Sequence, residues 1–239
     1  MNAIEIKNLT KEYKTFILDN VSFNVEEGHI VGFIGRNGAG KTTTIKSILN
    51  IVKTKHGDVK FFGLDLKNNE NIIKNQIGYS SGTTNYYPRK KLIDIINVTK
   101  KFYKNWDDNL MNEYKELFQL DFSKTPSELS EGMKVKFNLL LALSHHAKVL
   151  ILDEPTSGLD PFSRDEILEI FIELKKRGTA ILFSTHITSD LEKCADDIVY
   201  IRKGKIIGAC SKVDFIKKYK KDNETLESII LRLERDKHD

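Results

Sequence analysis

The segment from His29 to Val52 constrains this chain more than any other. His29-Ile30-Val31-Gly32-Phe33-Ile34 is a nearly unbroken apolar run, the pattern of a strand buried on both faces. Gly35-Arg36-Asn37-Gly38-Ala39-Gly40-Lys41-Thr42 follows at once, and then Ile45, Ile48, Leu49 and Val52 recur at helical spacing. Strand, glycine loop and helix in that order satisfy G-x-x-x-x-G-K-[ST] in the structural setting that gives the pattern meaning. Glycines let the backbone curl so that successive N–H groups converge on phosphate oxygens. The start of the helix adds the positive end of its dipole. On this reading Gly35, Arg36, Asn37, Gly38, Ala39 and Gly40 form a cradle for a nucleoside triphosphate. Lys41 reaches the β- and γ-phosphates, the Thr42 hydroxyl ligates Mg²⁺, and Thr43 bonds a phosphate nearer the nucleoside. The loop alone does not separate kinases, GTPases and ATPases.

The rest of the chain alternates in a way that argues for an α/β sheet. Ile4, Ile6 and Leu9 come early, and Val21, Phe23 and Val25 alternate with polar residues as a half-buried strand does. Residues 57–66 and 76–80 read as short strands around Gly63. From Leu92 to Leu120 the period changes: Leu92, Ile95, Ile96, Thr99, Phe102 and Tyr103 fit one helix face, and Leu110, Tyr114, Leu117 and Phe118 another. A further helix is expected from about Gly132 to His145. Strands are then expected at Val149–Leu152, Ala180–Ser184 and Ile198–Ile201, with helices at Arg164–Lys176 and Ser189–Ala195 between them. In the charged tail, Leu226, Ile229, Ile230 and Leu233 fit one amphipathic helix.

Val149 to Leu152 ends in Asp153-Glu154. A carboxylate at that strand end can hold Mg²⁺, and its neighbour, facing the other way, can polarise an attacking water. Asp153 is therefore the metal candidate and Glu154 the catalytic one.

Composition narrows the class. A 239-residue chain with 30% charged and 40% hydrophobic residues fits one large domain or two small ones with a substantial core. The net charge of +4 is small and dispersed, which points to neither nucleic acid nor anionic lipid. Cys194 and Cys210 make no metal-ligand spacing and no disulfide framework, so reduced thiols are expected. No apolar run approaches the ~20 residues that span a bilayer. Glu5 and Lys7 interrupt the first ten residues, unlike a signal peptide. The expected location is cytoplasmic, with any membrane part supplied by another chain.

Read with five further segments, these motifs resemble the nucleotide-binding subunits of ABC transporters over roughly Ile4 to Leu233. Leu129-Ser130-Glu131-Gly132-Met133 takes the place of the family's signature, commonly LSGGQ. The resemblance implies that Ser130 and Gly132 contact the γ-phosphate of ATP held by a partner subunit, although a plain serine N-cap is the alternative for Ser130. Glu131 and Met133 depart from the common form, and Glu131 is expected to point away from phosphate. Pro155-Thr156-Ser157-Gly158-Leu159-Asp160 resembles the D-loop, in which Asp160 helps join two subunits. Ser184-Thr185-His186 resembles the switch strand, making His186 a catalytic candidate beside the γ-phosphate and attacking water. Tyr13, with Phe16 close by, resembles the aromatic residue that stacks on adenine. At the family's Q-loop position stands Gly82, which has no side chain to bind Mg²⁺ or sense a permease.

The resemblance implies one ABC-type domain over residues 1–239. Its fold would be a P-loop NTPase with a RecA-like parallel core, an N-terminal antiparallel β subdomain, an inserted helical subdomain at about 86–146 and a helical tail at about 212–239. It implies ATP and Mg²⁺ as cofactors, a homo- or heterodimer of ATP-binding subunits, and separate transmembrane permease subunits. The chain would sit at the inner face of the cell membrane through that permease and power export. The short chain, the signature variant, the Thr225-Leu226-Glu227-Ser228 tail, Trp106-Asp107-Asp108 and Ser144-His145-His146 look most like Gram-positive exporters of drugs, antimicrobial peptides or phenol-soluble modulins. Two alternatives stand beside this. A weakly hydrolysing regulatory partner in a heterodimer is favoured by Gly82 and opposed by Glu154 and His186. A non-transport ABC ATPase acting on ribosomes, DNA or cluster assembly is opposed by the single ATPase unit and the absence of long heptads.

Overall fold

The computed structural model describes residues 1–81 and 87–235, so the Gly82 position and the last four residues lie outside the described residues. In chain order the regular elements begin with β1 (Asn2–Glu12), β2 (Ile17–Glu26), β3 (Ile30–Ile34) and α1 (Lys41–Ile48). Then come β4 (His56–Phe61), β5 (Leu64–Asp65), α2 (Leu66–Lys74) and β6 (Ile77–Ser80). Three helices follow: α3 (Leu92–Thr99), α4 (Asp108–Leu117) and α5 (Glu131–Leu143). The chain continues through β7 (Val149–Asp153), α6 (Pro161–Lys176), β8 (Ala180–Thr185), α7 (Thr188–Cys194), β9 (Asp197–Arg202) and β10 (Lys205–Ser211). It ends in α8 (Lys212–Tyr219) and α9 (Leu226–Arg235).

Two sheets result. One has the order β2-β1-β4-β5 and is antiparallel. The other has the order β10-β9-β3-β8-β7-β6; its members from β9 to β6 are parallel, and β10 closes one edge antiparallel. The period of two along each central strand decides which residue faces which core. On one face Ile30, Ile34, Leu150, Leu152, Ile181 and Phe183 pack with α5, α6, α7 and α9. On the other, Val31, Phe33, Val149, Ile151 and Leu182 pack with α1 and the antiparallel sheet. Strands covered on both sides read as continuous apolar runs, which is why they were legible.

Gly32 shows how tight this sandwich is. A Cβ there would come within 2.0 Å of Leu191 on α7, so the bare Cα lets that helix sit on the sheet.

Several expectations shift. The segment 57–66 is a hairpin of β4 and β5 turning at Phe62-Gly63, both at positive φ. The helix α2 behind it and the edge strand β10 were not anticipated. The face drawn through Phe102 does not hold: α3 stops at Thr99, a 3₁₀ turn covers Lys100–Phe102, and Phe102 is 76% exposed. Leu117 likewise is exposed, while Phe118 is buried. No helix of the described residues is long and apolar enough to cross a membrane.

Candidate active site

Strand register brings the motifs together. β3 lies between β9 and β8, and Ile34 stands beside Thr185. β8 in turn pairs with β7, with Ser184 beside Asp153. The chain therefore leaves three parallel strands at one carboxyl edge as the glycine loop, the acid pair and the switch segment. Such an edge is where α/β sheets gather ligand-binding groups.

The glycine loop is built as its sequence requires. Gly38 and Gly40 have φ of 82° and 116°, values that L side chains rarely adopt. A Cβ at Gly35 would lie 2.4 Å from the Ile201 carbonyl oxygen. Gly40 caps α1 without any side-chain hydrogen bond, so the first N–H groups of the helix remain directed at the loop's hollow. The hollow opens into a cleft of about 680 Å³ lined by Arg36, Asn37, Gly38, Gly40, Lys41, Thr42 and Thr43 on one side and by Glu154, Ser157 and His186 on the other.

Three polar side chains, Lys41, Glu154 and His186, form a chain across that cleft. Lys41 is only 5% exposed. Its ammonium donates to the Gly35 carbonyl at 2.6 Å and pairs with Glu154 Oε1 at 3.0 Å. The other carboxylate oxygen of Glu154 meets His186 Nδ1 at 2.7 Å, so the carboxylate accepts from that ring nitrogen. Glu154 itself sits at φ 55°, a left-handed conformation held by its N–H donating to Ser184 Oγ at 2.9 Å. The same Ser184 hydroxyl donates to Asp153 Oδ1 at 2.6 Å. One buried serine thus fixes both acids, turning Asp153 inward and Glu154 into the cleft. In the sequence Ser184 stands out only as part of the switch strand, a hydroxyl two residues before the histidine.

Not every candidate reaches the cleft. Tyr13 is 45% exposed and does not line it; Phe16, with Thr15, does. The aromatic wall beside the glycine loop is therefore Phe16, whose ring end would lie 2.9 Å from a Cβ at Gly40. Tyr13 instead lies under the Lys11 ammonium, 5.1 Å from the ring centre. Asp153 stands behind the cleft lining and is buried.

Ser130, Gly132 and Asp160 also lie outside this cleft. Ser130 caps α5, its hydroxyl oxygen accepting from Met133 N–H at 3.2 Å, and remains exposed. Glu131 turns aside to pair with Lys134 at 2.6 Å. Gly132 is buried, and a Cβ there would be 3.0 Å from Ser163 on α6. Asp160 caps α6 by accepting from the N–H groups of Phe162 and Ser163 at 3.0 and 3.1 Å. Hydrogen bonds from Ser163 hold its carboxyl below the usual range. Neither cysteine enters the site, and burial pushes the Cys194 thiol up to about 12.

Comparisons with known proteins bear on the family and the fold. The family model described as ABC transporter matches residues 18–157, more than half of the chain. The chain is 34% identical to the bacitracin transport ATP-binding protein of Bacillus licheniformis, over 85% of this chain and 68% of that protein. It is 33% identical to a lantibiotic transport ATP-binding protein of Streptococcus pyogenes, over 85% of this chain and 89% of that protein. A solved structure of the ATP binding subunit of an ABC transporter superposes with a TM-score of 0.86 at 28% identity, covering 97% of this chain and 99% of that one. The chain accordingly belongs to the ABC transporter family and is one of its ATP-binding, ATP-hydrolysing cassettes.

Proposed function

We propose that the cassette powers export of a peptide or drug-like substrate through separate transmembrane subunits, in company with a second ATP-binding subunit, identical or homologous. The observation that carries the catalytic half of this reading is Glu154 standing between Lys41 and His186. The export half rests on the bacitracin and lantibiotic transport proteins among its relatives.

In the proposed cycle the triphosphate lies along the glycine loop, and Lys41 exchanges Glu154 for the β- and γ-phosphate oxygens. Glu154, released from Lys41, accepts a proton from the attacking water. His186, already hydrogen-bonded to that carboxylate, orients it and meets the γ-phosphate. Phosphoryl transfer is mainly positioning and charge stabilisation, so these groups suffice in kind.

Among the described residues no three His, Cys, Asp or Glu side chains gather as a metal centre. The Thr42 hydroxyl and the Asp153 carboxylate are hard oxygen donors of the type Mg²⁺ takes and would hold it. The ion would supply charge neutralisation at the phosphates. Ser130 and Gly132 would serve the ATP of the second subunit, with the open side of the Ser130 cap facing its γ-phosphate. Asp160 would join the two subunits.

The permease would be engaged near the segment 82–91. Beside the start of β6 and the end of α2 lies a mostly apolar groove of about 380 Å³, lined by Leu49, Ile51, Ile77, Tyr79, Phe102 and Tyr103 together with the polar Asn71, Lys74 and Asn75. Ile51 and Phe102 are 56% and 76% exposed, and a short amphipathic segment of the membrane chain would cover them. The test is purification of the full chain from detergent-solubilised membranes with its companions identified. Recovery with a multi-spanning membrane protein is expected; recovery solely with ribosomes or DNA would reject the transport reading.

A further inference from the structure

Asp190, in the first turn of α7, is a carboxylate with no exposed surface, and the chemistry described so far does not use it. Its contacts come from three separate stretches of chain. Oδ2 accepts from Thr156 Oγ1 at 2.6 Å and from Thr185 Oγ1 at 3.2 Å. Oδ1 faces Arg164 Nε on α6 at 4.0 Å, and both of these atoms are buried without a hydrogen bond.

Each stretch leads to a functional element. Thr185 immediately precedes His186, and its hydroxyl also accepts from the N–H of Ile187 at 3.0 Å, so it braces the peptide on both sides of the histidine. Thr156 lies between Glu154 and Asp160, and its carbonyl accepts from Leu159 N–H at 3.3 Å within that loop. Arg164 stands one turn into the helix that Asp160 caps, donating its N–H to the Asp160 carbonyl at 3.0 Å.

A buried charge held by two neutral hydroxyls is expensive. Burial pushes this carboxyl above the ordinary range, while the Thr156 and Thr185 hydroxyls draw it back. Two apolar side chains of similar volume would stabilise the fold as well or better, so stability alone does not account for the pair. The distance to Arg164 is about 1 Å longer than a charge-assisted hydrogen bond. The pair can therefore tighten if α6 and the loop before it shift towards α7.

We infer that Asp190 is a positioning residue that ties the Thr156–Asp160 loop to His186, so that movement of the loop sets the geometry of hydrolysis without setting nucleotide affinity. The inference rests on the proposal that this loop faces a second subunit. It assigns the buried Asp190, Thr156 and Thr185 and the half-buried Arg164 to one device: the loop side reports the partner's approach, and the Thr185 side transmits it to the histidine.

The experiment compares full-length Asp190→Asn, Thr156→Val and Thr156→Ser proteins for MgATP affinity, ATP turnover and thermal stability. Asp190→Asn is expected to keep ATP affinity within about twofold and to lower kcat by about tenfold or more, the cost of one broken buried charged contact. Thr156→Val should reproduce the kcat loss and Thr156→Ser should restore it. In the double variant Asp190→Asn/Thr156→Val the losses should not multiply, because both act through one contact. Should Asp190→Asn fail to fold, the Val and Ser pair at Thr156 decides alone. Unchanged kcat with a lowered Tm, or no difference between Val and Ser, would overturn the inference and leave a merely structural cluster. Glu154→Gln is the control for the underlying reading. Lost turnover there beside full turnover in the Asp190 and Thr156 variants refutes this device alone; retained turnover in Glu154→Gln refutes the catalytic assignment itself.

Discussion

Ser184 does more for the site than its size suggests. Its single hydroxyl donates to Asp153 and accepts from the Glu154 backbone, and it is fully buried while doing so. Ser184→Ala would leave the buried Asp153 Oδ1 short of a partner, a loss of ~1–3 kcal/mol, and would leave the Glu154 N–H only the Ser184 carbonyl at 3.2 Å. The expected outcome is a fall of about tenfold or more in ATP turnover, measured at saturating ATP, with Lys41 still able to bind nucleotide. Turnover at the wild-type rate would show that the left-handed Glu154 needs no such support. The acids, Lys41 and His186 were all legible as types at fixed spacings. Their mutual contacts were not, because the bonds between Lys41, Glu154 and His186 depend on strand order. Tyr13 and Phe16 are hard to separate for the same reason: both are aromatic and three residues apart, and Phe16 alone lines the cleft and packs against Gly40.

The central strands announced themselves because both of their faces are covered, and α6 because of its long apolar stripe, although it begins at Pro161, capped by Asp160, three residues before the expected Arg164. The helix α2 did not, since Lys67, Asn68, Asn69 and Glu70 give little apolar signal and the helix depends on its Asp65 cap, which accepts from Asn68 N–H at 3.2 Å. The strand β10 was hidden behind Lys203-Gly204, a two-residue turn with both φ positive.

A pH dependence belongs to this scale. His145, just past α5, places Nε2 3.1 Å from the Ile77 carbonyl on β6 and stacks on Tyr103 at 3.9 Å between ring centres. Burial pushes its pKa below the ordinary value of 6.5. With a depressed folded value, the unfolded chain binds the proton first on acidification. The junction's contribution is therefore whole above pH 6.5 and is lost as pH falls from there towards the folded value. Thermal unfolding of wild type and His145→Gln should show the wild type losing more Tm between pH 7.5 and 5.5. Equal losses in the two proteins would refute the assignment.

At the scale of the whole molecule, the cleft at the sheet's carboxyl edge and the groove beside β6 share no lining residue. Communication between them is what a transport motor requires. Ile51→Asp and Phe102→Asp alter exposed side chains away from the cleft. Each should keep the ATP turnover of the isolated chain and lose co-purification with the permease; retention of the permease by both would place its contact elsewhere. The family was legible from the chain alone because its motifs are contiguous. The substrate of the proposed transporter was not, because no motif in the chain recognises one.

In the proposed mechanism Glu154 activates the attacking water, and ATP binding and turnover of the Glu154→Gln protein test that role most directly. The amide keeps the shape but is a far weaker base, and it frees Lys41 from its 3.0 Å ion pair. ATP measured by calorimetry should bind at least as tightly as to the wild type, while turnover falls by ~10²–10⁴-fold, the scale of a lost general base. Turnover close to that of the wild type, with binding intact, would contradict the account.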